Sequence, residues 1–226
     1  MQNCPLLLGH RGVRDHKTIR ENTPAAFDFA LAQGCNGFEF DVRLTKDGEA
    51  VICHDEMLGR LRVAACPAKR LQLPSLREVL ARYRSGAFLD IELKVTGLEK
   101  IAIALLHEFP PERGLVVSSF LPPVLQEFRD LDRVISLGLI CETHSQFARW
   151  SELPVEYIIL QSRLFKERLL SQALSQIRKA GKKILVWTVN QPAAMREFAE
   201  RGVDGIISDS PQKLAATLGR RGKVQN

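Results

Sequence analysis

Short apolar runs and longer helix-periodic segments take strict turns along this chain, and that alternation is the strongest constraint on its fold. Leu6–Gly9, Gly37–Val42, Phe88–Lys94, Leu115–Ser119, Ile135–Ile140, Tyr157–Gln161, Ile184–Val189 and Gly205–Ser208 read as strands, being short and rich in β-branched or aromatic residues. Helices are expected between them. Thr23–Gln33 places Phe27, Ala30 and Leu31 at helical spacing and is stopped by Gly34. Ser75–Tyr83 opens on a capping box of Ser75 and Glu78. Leu98–Phe109, Pro122–Arg129, Ser145–Trp150, Lys166–Ala180, Pro192–Arg201 and Pro211–Leu218 complete the series. Parallel strands joined by helical crossovers follow from this order. Eight such units in 226 residues fit an α/β fold of the closed (β/α)8 TIM-barrel type, forming one domain over residues 1–226. An open doubly wound sheet is the alternative, but it usually has fewer repeats, and no GxGxxG follows the first strand.

The alternation is interrupted once, at Thr45–Asp55. Asp47-Gly48 between two strand-like runs is a hairpin signal. Strand two therefore runs out, turns, and returns through Ala50–Cys53 to deliver His54. Glu56–Pro74 is expected to be an irregular loop.

Composition narrows the function classes. The five cysteines are scattered, odd in number and free of CxxC pairs, which points to free thiols and against a structural zinc site. No apolar run reaches the roughly 20 residues of a membrane-spanning helix, and no signal-peptide pattern opens the chain, so a cytoplasmic location without membrane insertion is expected. The net charge is +6, but much of the excess lies in Lys179, Lys182, Lys183 and the tail Arg220, Arg221 and Lys223. No basic run is interleaved with aromatic residues, which argues against a nucleic-acid partner.

Reactive groups of a barrel sit at the C-terminal ends of its strands. Gly9-His10-Arg11-Gly12 ends strand one and sets a proton-transfer group beside an anion clamp. In Phe38-Glu39-Phe40-Asp41 the alternation of side chains puts Glu39 and Asp41 on one face and the two Phe on the other. Two carboxylates together in a barrel mouth call for a compensating cation, either a hard divalent metal or a salt bridge to Arg11 or Arg43. Glu92 and Lys94 share a face of strand three, next to strand two, which brings Glu92 within reach of Glu39 and Asp41. Lys94 is placed to hold a phosphate oxygen. Asp90 lies deeper on the same face and reads as structural. The returning hairpin sets His54 above the same mouth, and Trp187 either walls the pocket or belongs to the core. His107 and His144 read as surface groups, and nothing fixes the direction of His16.

These residues fall into an ordered series: His-Arg-Gly at 10–12, Glu21-Asn22-Thr23, Glu39-x-Asp41, Thr45-Lys46-Asp47-Gly48, His54-Asp55, Glu92-Leu93-Lys94, Ser119-Phe120, Trp187-Thr188-Val189-Asn190, and a closing Gly202–Pro211. As a set they resemble the glycerophosphodiester phosphodiesterase family over roughly residues 5–215. The resemblance implies a phospholipase-C-like barrel, with His10 and His54 as the catalytic pair. It implies Glu39, Asp41 and Glu92 as ligands of one divalent cation, Mg2+ or Ca2+, and Arg11 and Lys94 as phosphate-binding groups. Glu21 and Asn22 would support the site, Asn22 by ordering the His10 loop. The expected partner is a small glycerophosphodiester, cleaved to glycerol 3-phosphate and an alcohol. A lysophospholipase D-like or cyclising activity on lipids is the alternative, and a barrel that binds phosphodiesters without turnover is a third. The chain departs from the family pattern at Met57–Ala68, where only a Leu58-x-Arg60 remnant of an insertion stands. That leaves the released alcohol open, as is the oligomeric state.

Overall fold

The computed structural model describes residues 4–166 and 168–219. The basic tail Arg220, Arg221 and Lys223 lies outside the described residues, as does Glu167 within the helix expected over Lys166–Ala180. Among the described residues, eleven strands are formed: β1 (Leu6–Gly9), β2 (Gly37–Leu44), β3 (Ala50–Ile52), β4 (Met57–Leu58), β5 (Leu61–Arg62), β6 (Phe88–Leu93), β7 (Leu115–Ser119), β8 (Leu137–Cys141), β9 (Tyr157–Gln161), β10 (Lys183–Trp187) and β11 (Gly205–Ser208). The helices are α1 (Pro24–Ala32), α2 (Ala68–Leu71), α3 (Leu76–Tyr83), α4 (Glu99–Glu108), α5 (Pro122–Leu131), α6 (His144–Phe147), α7 (Arg168–Lys179), α8 (Pro192–Glu200) and α9 (Pro211–Leu218).

The parallel strands run in the order β1-β11-β10-β9-β8-β7-β6-β2, and β1 also pairs with β2, which closes the barrel. The expected hairpin forms as β3, antiparallel to β2 with Val42 opposite Ile52. Apolar side chains fill two layers, as alternation along each strand requires. Facing outward, Phe38 stacks on Phe27 of α1 at 4.2 Å between ring centroids, with Phe40 and Tyr83 against the same group. Facing inward, Leu8, Phe88, Val116, Ile140, Tyr157, Ile159, Leu185 and Ile207 plug the barrel. Gly37 fixes the contact between β2 and β6: a Cβ there would meet the Phe88 carbonyl oxygen at 1.8 Å. Only glycine allows this approach.

Three expectations need correction. Glu56–Pro74 is not irregular. It holds the small hairpin β4–β5, a 3-10 turn over Val63–Ala65 and α2, gathered over Val51, Cys53, Val63, Cys66 and Leu71. Asp47 at the tip of the first hairpin accepts the Ala68 N–H at 3.0 Å and joins the two segments. The fifth barrel strand starts at Leu137, not Ile135, because Asp132 draws the N–H groups of Val134 and Ile135 into a turn at 2.8 Å each. The helix expected over Ser145–Trp150 is the single turn α6, started one residue earlier by a Thr143–Gln146 capping box.

Candidate active site

The β2–β6 register sets Glu39 beside Asp90 and Asp41 beside Glu92. One carboxylate oxygen from each of Glu39, Asp41 and Glu92 lies within 4.8 Å of the others, and all three residues are buried. Burial, reinforced by the charges of Asp41 and Glu92, raises Glu39 well above the usual carboxylate range. Burial and the neighbouring Asp41 raise Glu92 to about 7. Burial also acts on Asp41, but Lys94, Arg11 and a hydrogen bond from Asn22 outweigh it and hold that group low. Lys94 Nζ is 2.6 Å from Glu92 Oε1 and 3.4 Å from Asp41 Oδ1. Arg11 Nε is 3.2 Å from Asp41 Oδ2. Arg43, the other cation weighed as a partner for the carboxylates, instead donates to the His54 carbonyl at 2.8 Å. Glu39 Oε1 and Asp41 Oδ1 are buried without a hydrogen-bond partner. Buried oxygens so placed are suited to a hard cation, and oxygen-only donors are the set that Mg2+ or Ca2+ takes.

The loop after β1 wraps this cluster. Arg11 has φ 50° and Asn22 φ 56°, both left-handed conformations that carry strain for a side chain. The loop is pinned by its contacts: Asn22 N–H donates to the Arg11 carbonyl at 3.0 Å, and Asn22 Nδ2 donates to Asp41 Oδ2 at 2.8 Å. Arg11 N–H donates to Glu39 Oε2 at 2.9 Å. Gly12, at φ 78°, packs on the α1 backbone, where a Cβ would sit 2.5 Å from the Ala26 carbonyl carbon. Glu21 receives Arg11 on one oxygen and Arg14 on the other, each at 2.6 Å.

His10 is buried, with Nε2 3.8 Å from Glu39 Oε2 and Nδ1 2.7 Å from Asp209 Oδ1. Burial lowers its pKa from 6.5, and the Asp209 contact opposes that shift only in part. His54, on the residue after Cys53, sets Nδ1 2.7 Å from Asp55 Oδ1 and is far more exposed. Both imidazoles line one cavity of about 350 Å3 together with Arg11, Glu39, Glu92 and Lys94. Trp187 and Phe120 also line it and meet edge to face at 5.7 Å. Asp90 also reaches the cavity. It accepts from Ser118 Oγ at 2.6 Å, and burial raises it to about 7.

The remaining histidines stand apart. His16 packs on Phe29 and accepts the Ile19 N–H at 3.2 Å. His107 pairs with Asp132 on the outer layer. His144 is exposed at the start of α6.

Sequence reasoning missed Asp209, Asn190 and Arg14. Asp209 lies just beyond β11 and is held by Asn190 Nδ2 at 2.7 Å and Arg14 at 3.3 Å. Burial would raise its pKa, but the His10 hydrogen bond, Asn190 and Arg14 bring it down to about 2. Its position directly after a barrel strand was the available signal.

Known proteins share the sequence pattern and the fold. The Glycerophosphoryl diester phosphodiesterase family matches over residues 10–111 and 94–213. A glycerophosphodiester phosphodiesterase from Caldanaerobacter subterraneus subsp. tengcongensis is 30% identical, across 92% of this chain and 96% of its own length. The crystal structure of the glycerophosphodiester phosphodiesterase from Thermotoga maritima superposes with a TM-score of 0.82 at 27% identity, covering 96% of this chain and 99% of that one. An Oleispira antarctica phosphodiesterase in complex with the product sn-glycerol-3-phosphate superposes with a TM-score of 0.80 at 26% identity, covering 95% of this chain and 96% of the other. The match to the family model over most of the chain, together with a relative 30% identical across nearly its whole length, shows that the chain belongs to the glycerophosphoryl diester phosphodiesterase family.

Proposed function

We propose that this barrel, as a single domain, cleaves glycerophosphodiesters to glycerol 3-phosphate and an alcohol. One divalent cation, Mg2+ or Ca2+, is held by Glu39, Asp41 and Glu92, and His10 and His54 move the protons. The observation that carries the reading is a cavity lined by both imidazoles, Arg11, Lys94, Glu39 and Glu92, with Asp41 completing the carboxylate cluster behind it. Charge supports the ion: among the described residues, Glu39, Asp41, Asp90 and Glu92 are an excess of buried carboxylates over their neighbouring cations Arg11 and Lys94, and burial and mutual repulsion raise Glu39, Asp90 and Glu92 above the usual carboxylate range. A divalent cation balances that excess.

Arg11 and Lys94 bind the non-bridging oxygens of the phosphodiester and orient it. Lewis-acid polarisation of a phosphate oxygen is the chemistry that a bound ion supplies here. His10 is the general base. Asp209 is ionised at neutral pH and can only accept, which makes Nδ1 the protonated nitrogen and leaves Nε2 with its lone pair toward the carboxylate cluster. Burial keeps this imidazole unprotonated. It takes the proton of the attacking oxygen as the new P–O bond forms: water gives glycerol 3-phosphate directly, whereas the glycerol 2-hydroxyl gives a cyclic phosphate that a second attack, by water, opens to glycerol 3-phosphate. His54, at the open side, donates a proton to the departing alkoxide as the old P–O bond breaks.

A diester of glycerol 3-phosphate with p-nitrophenol separates these roles, because p-nitrophenolate leaves without protonation. His54→Ala should retain most of its rate on that substrate and lose about 10²- to 10⁴-fold on glycerophosphocholine. His10→Ala should be slow on both. Equal losses for His54→Ala on the two diesters would overturn the assignment.

A further inference from the structure

The cavity is asymmetric. Its charged lining is Arg11, Lys94 and the carboxylates Glu39, Asp90 and Glu92. Its apolar lining is a wall of Phe120, Ile140, Ile159 and Trp187, with the Trp187 ring 6.4 Å from that of His10. One charged side chain completes that wall: Glu142, just beyond the end of β8. Among the described residues Glu142 has no ion-pair partner. Its only side-chain hydrogen bond is from Gln161 Nε2 to Oε1 at 3.2 Å. Lys94, 5.7 Å from the Phe120 ring centroid, is already held by Glu92 and Asp41 and does not serve it.

Resting on the phosphodiesterase reading, we propose that this wall is the alcohol subsite and that Glu142 selects diesters whose alcohol carries an ammonium group. Aromatic and aliphatic surface with a single negative charge and few hydrogen-bonding groups is poor at holding a hydroxyl-rich alcohol, which needs several partners. It suits an alkylated ammonium, which needs none. Such a cation gains from the faces of Trp187 and Phe120 and from the unpaired carboxylate. The ammonium of a two-carbon alcohol lies a few bonds from the phosphorus, and the wall stands beside the phosphate-binding groups in the same cavity. Glu142 acts on specificity and not on the reacting atoms.

The test compares kcat/KM for glycerophosphocholine with that for the diester of 3,3-dimethylbutan-1-ol, which has the shape of choline with carbon in place of nitrogen. The wild-type protein should prefer the charged substrate about tenfold, equivalent to about 1.4 kcal/mol. Glu142→Gln should bring the ratio close to one, mainly through KM for glycerophosphocholine. A wild-type ratio near one, or a variant that slows both diesters equally, would overturn the subsite. Either outcome, with glycerol 3-phosphate released from the uncharged diester by the wild-type protein at the full rate, would leave the phosphodiesterase reading standing. No release from either diester or from glycerophosphoglycerol would remove both.

Discussion

Asp209 holds His10 by its Nδ1 at 2.7 Å, and those two residues are brought together by the closure of β1 against β11. The contact joins the residue after the first barrel strand to the residue after the last. Asp209→Asn keeps the shape but favours the wrong tautomer. It should lower kcat by about 10²- to 10⁴-fold, with KM within about threefold, as for aspartates that orient a catalytic histidine. Combined with His10→Ala it should cost nothing more, because it acts only through that ring. Steady-state kinetics of the two single variants and the double variant check this. Nitrogen shifts of His10 in the metal-free protein give a second readout: the wild-type ring should show protonated Nδ1 and the variant protonated Nε2.

Glu39 and Asp41 should respond in opposite ways to loss of charge. Glu39 is penalised by burial and by two neighbouring carboxylates, whereas Asp41 is held by Lys94, Arg11 and Asn22. In metal-free protein at pH 8, Glu39→Gln should raise stability by about 1 kcal/mol and Tm by about 2–4 °C. Asp41→Asn should lower stability by about 1–3 kcal/mol, since it removes the charge shared by Arg11 and Lys94 and leaves them to Glu21 and Glu92. Both should abolish activity. Thermal melts in a chelator distinguish the two, and destabilisation by Glu39→Gln would contradict the charge excess.

Metal-free stability should fall as pH rises toward neutrality. Asp90 has a folded pKa of about 7 against an ordinary 3.8, so the folded state binds more protons than the unfolded state between those values. Its contribution is complete below 3.8, shrinks as pH climbs, and is gone above about 7. Glu92, at about 7 against 4.5, acts in the same direction. Protons and a cation compete for these groups, so Mg2+ or Ca2+ should raise Tm more at pH 8 than at pH 5.5. An equal rise at both values would argue against a site built from these carboxylates.

The barrel was legible because alternation is written in residue type: Phe38 and Phe40 could only pack outward if Glu39 and Asp41 pointed in. Glu92 followed from strand adjacency, and His54 from the Asp47-Gly48 turn. The segment after His54 was not legible. Val63, Cys66 and Leu71 form a small core too short to show a period. Asp209 was also missed, since its partner His10 lies 199 positions away and only closure of the barrel brings them together. Glu142 escaped for a related reason: its meaning depends on which side chains from other strands share its wall.

Phosphorus NMR of the purified protein with glycerophosphocholine tests the central claim most directly. With Mg2+ or Ca2+ the diester resonance should give way to that of glycerol 3-phosphate. A chelator should stop the conversion, restored metal should restart it, and His10→Ala should slow it by about 10²- to 10⁴-fold. Conversion at an undiminished rate after chelation, or in His10→Ala, would contradict the account.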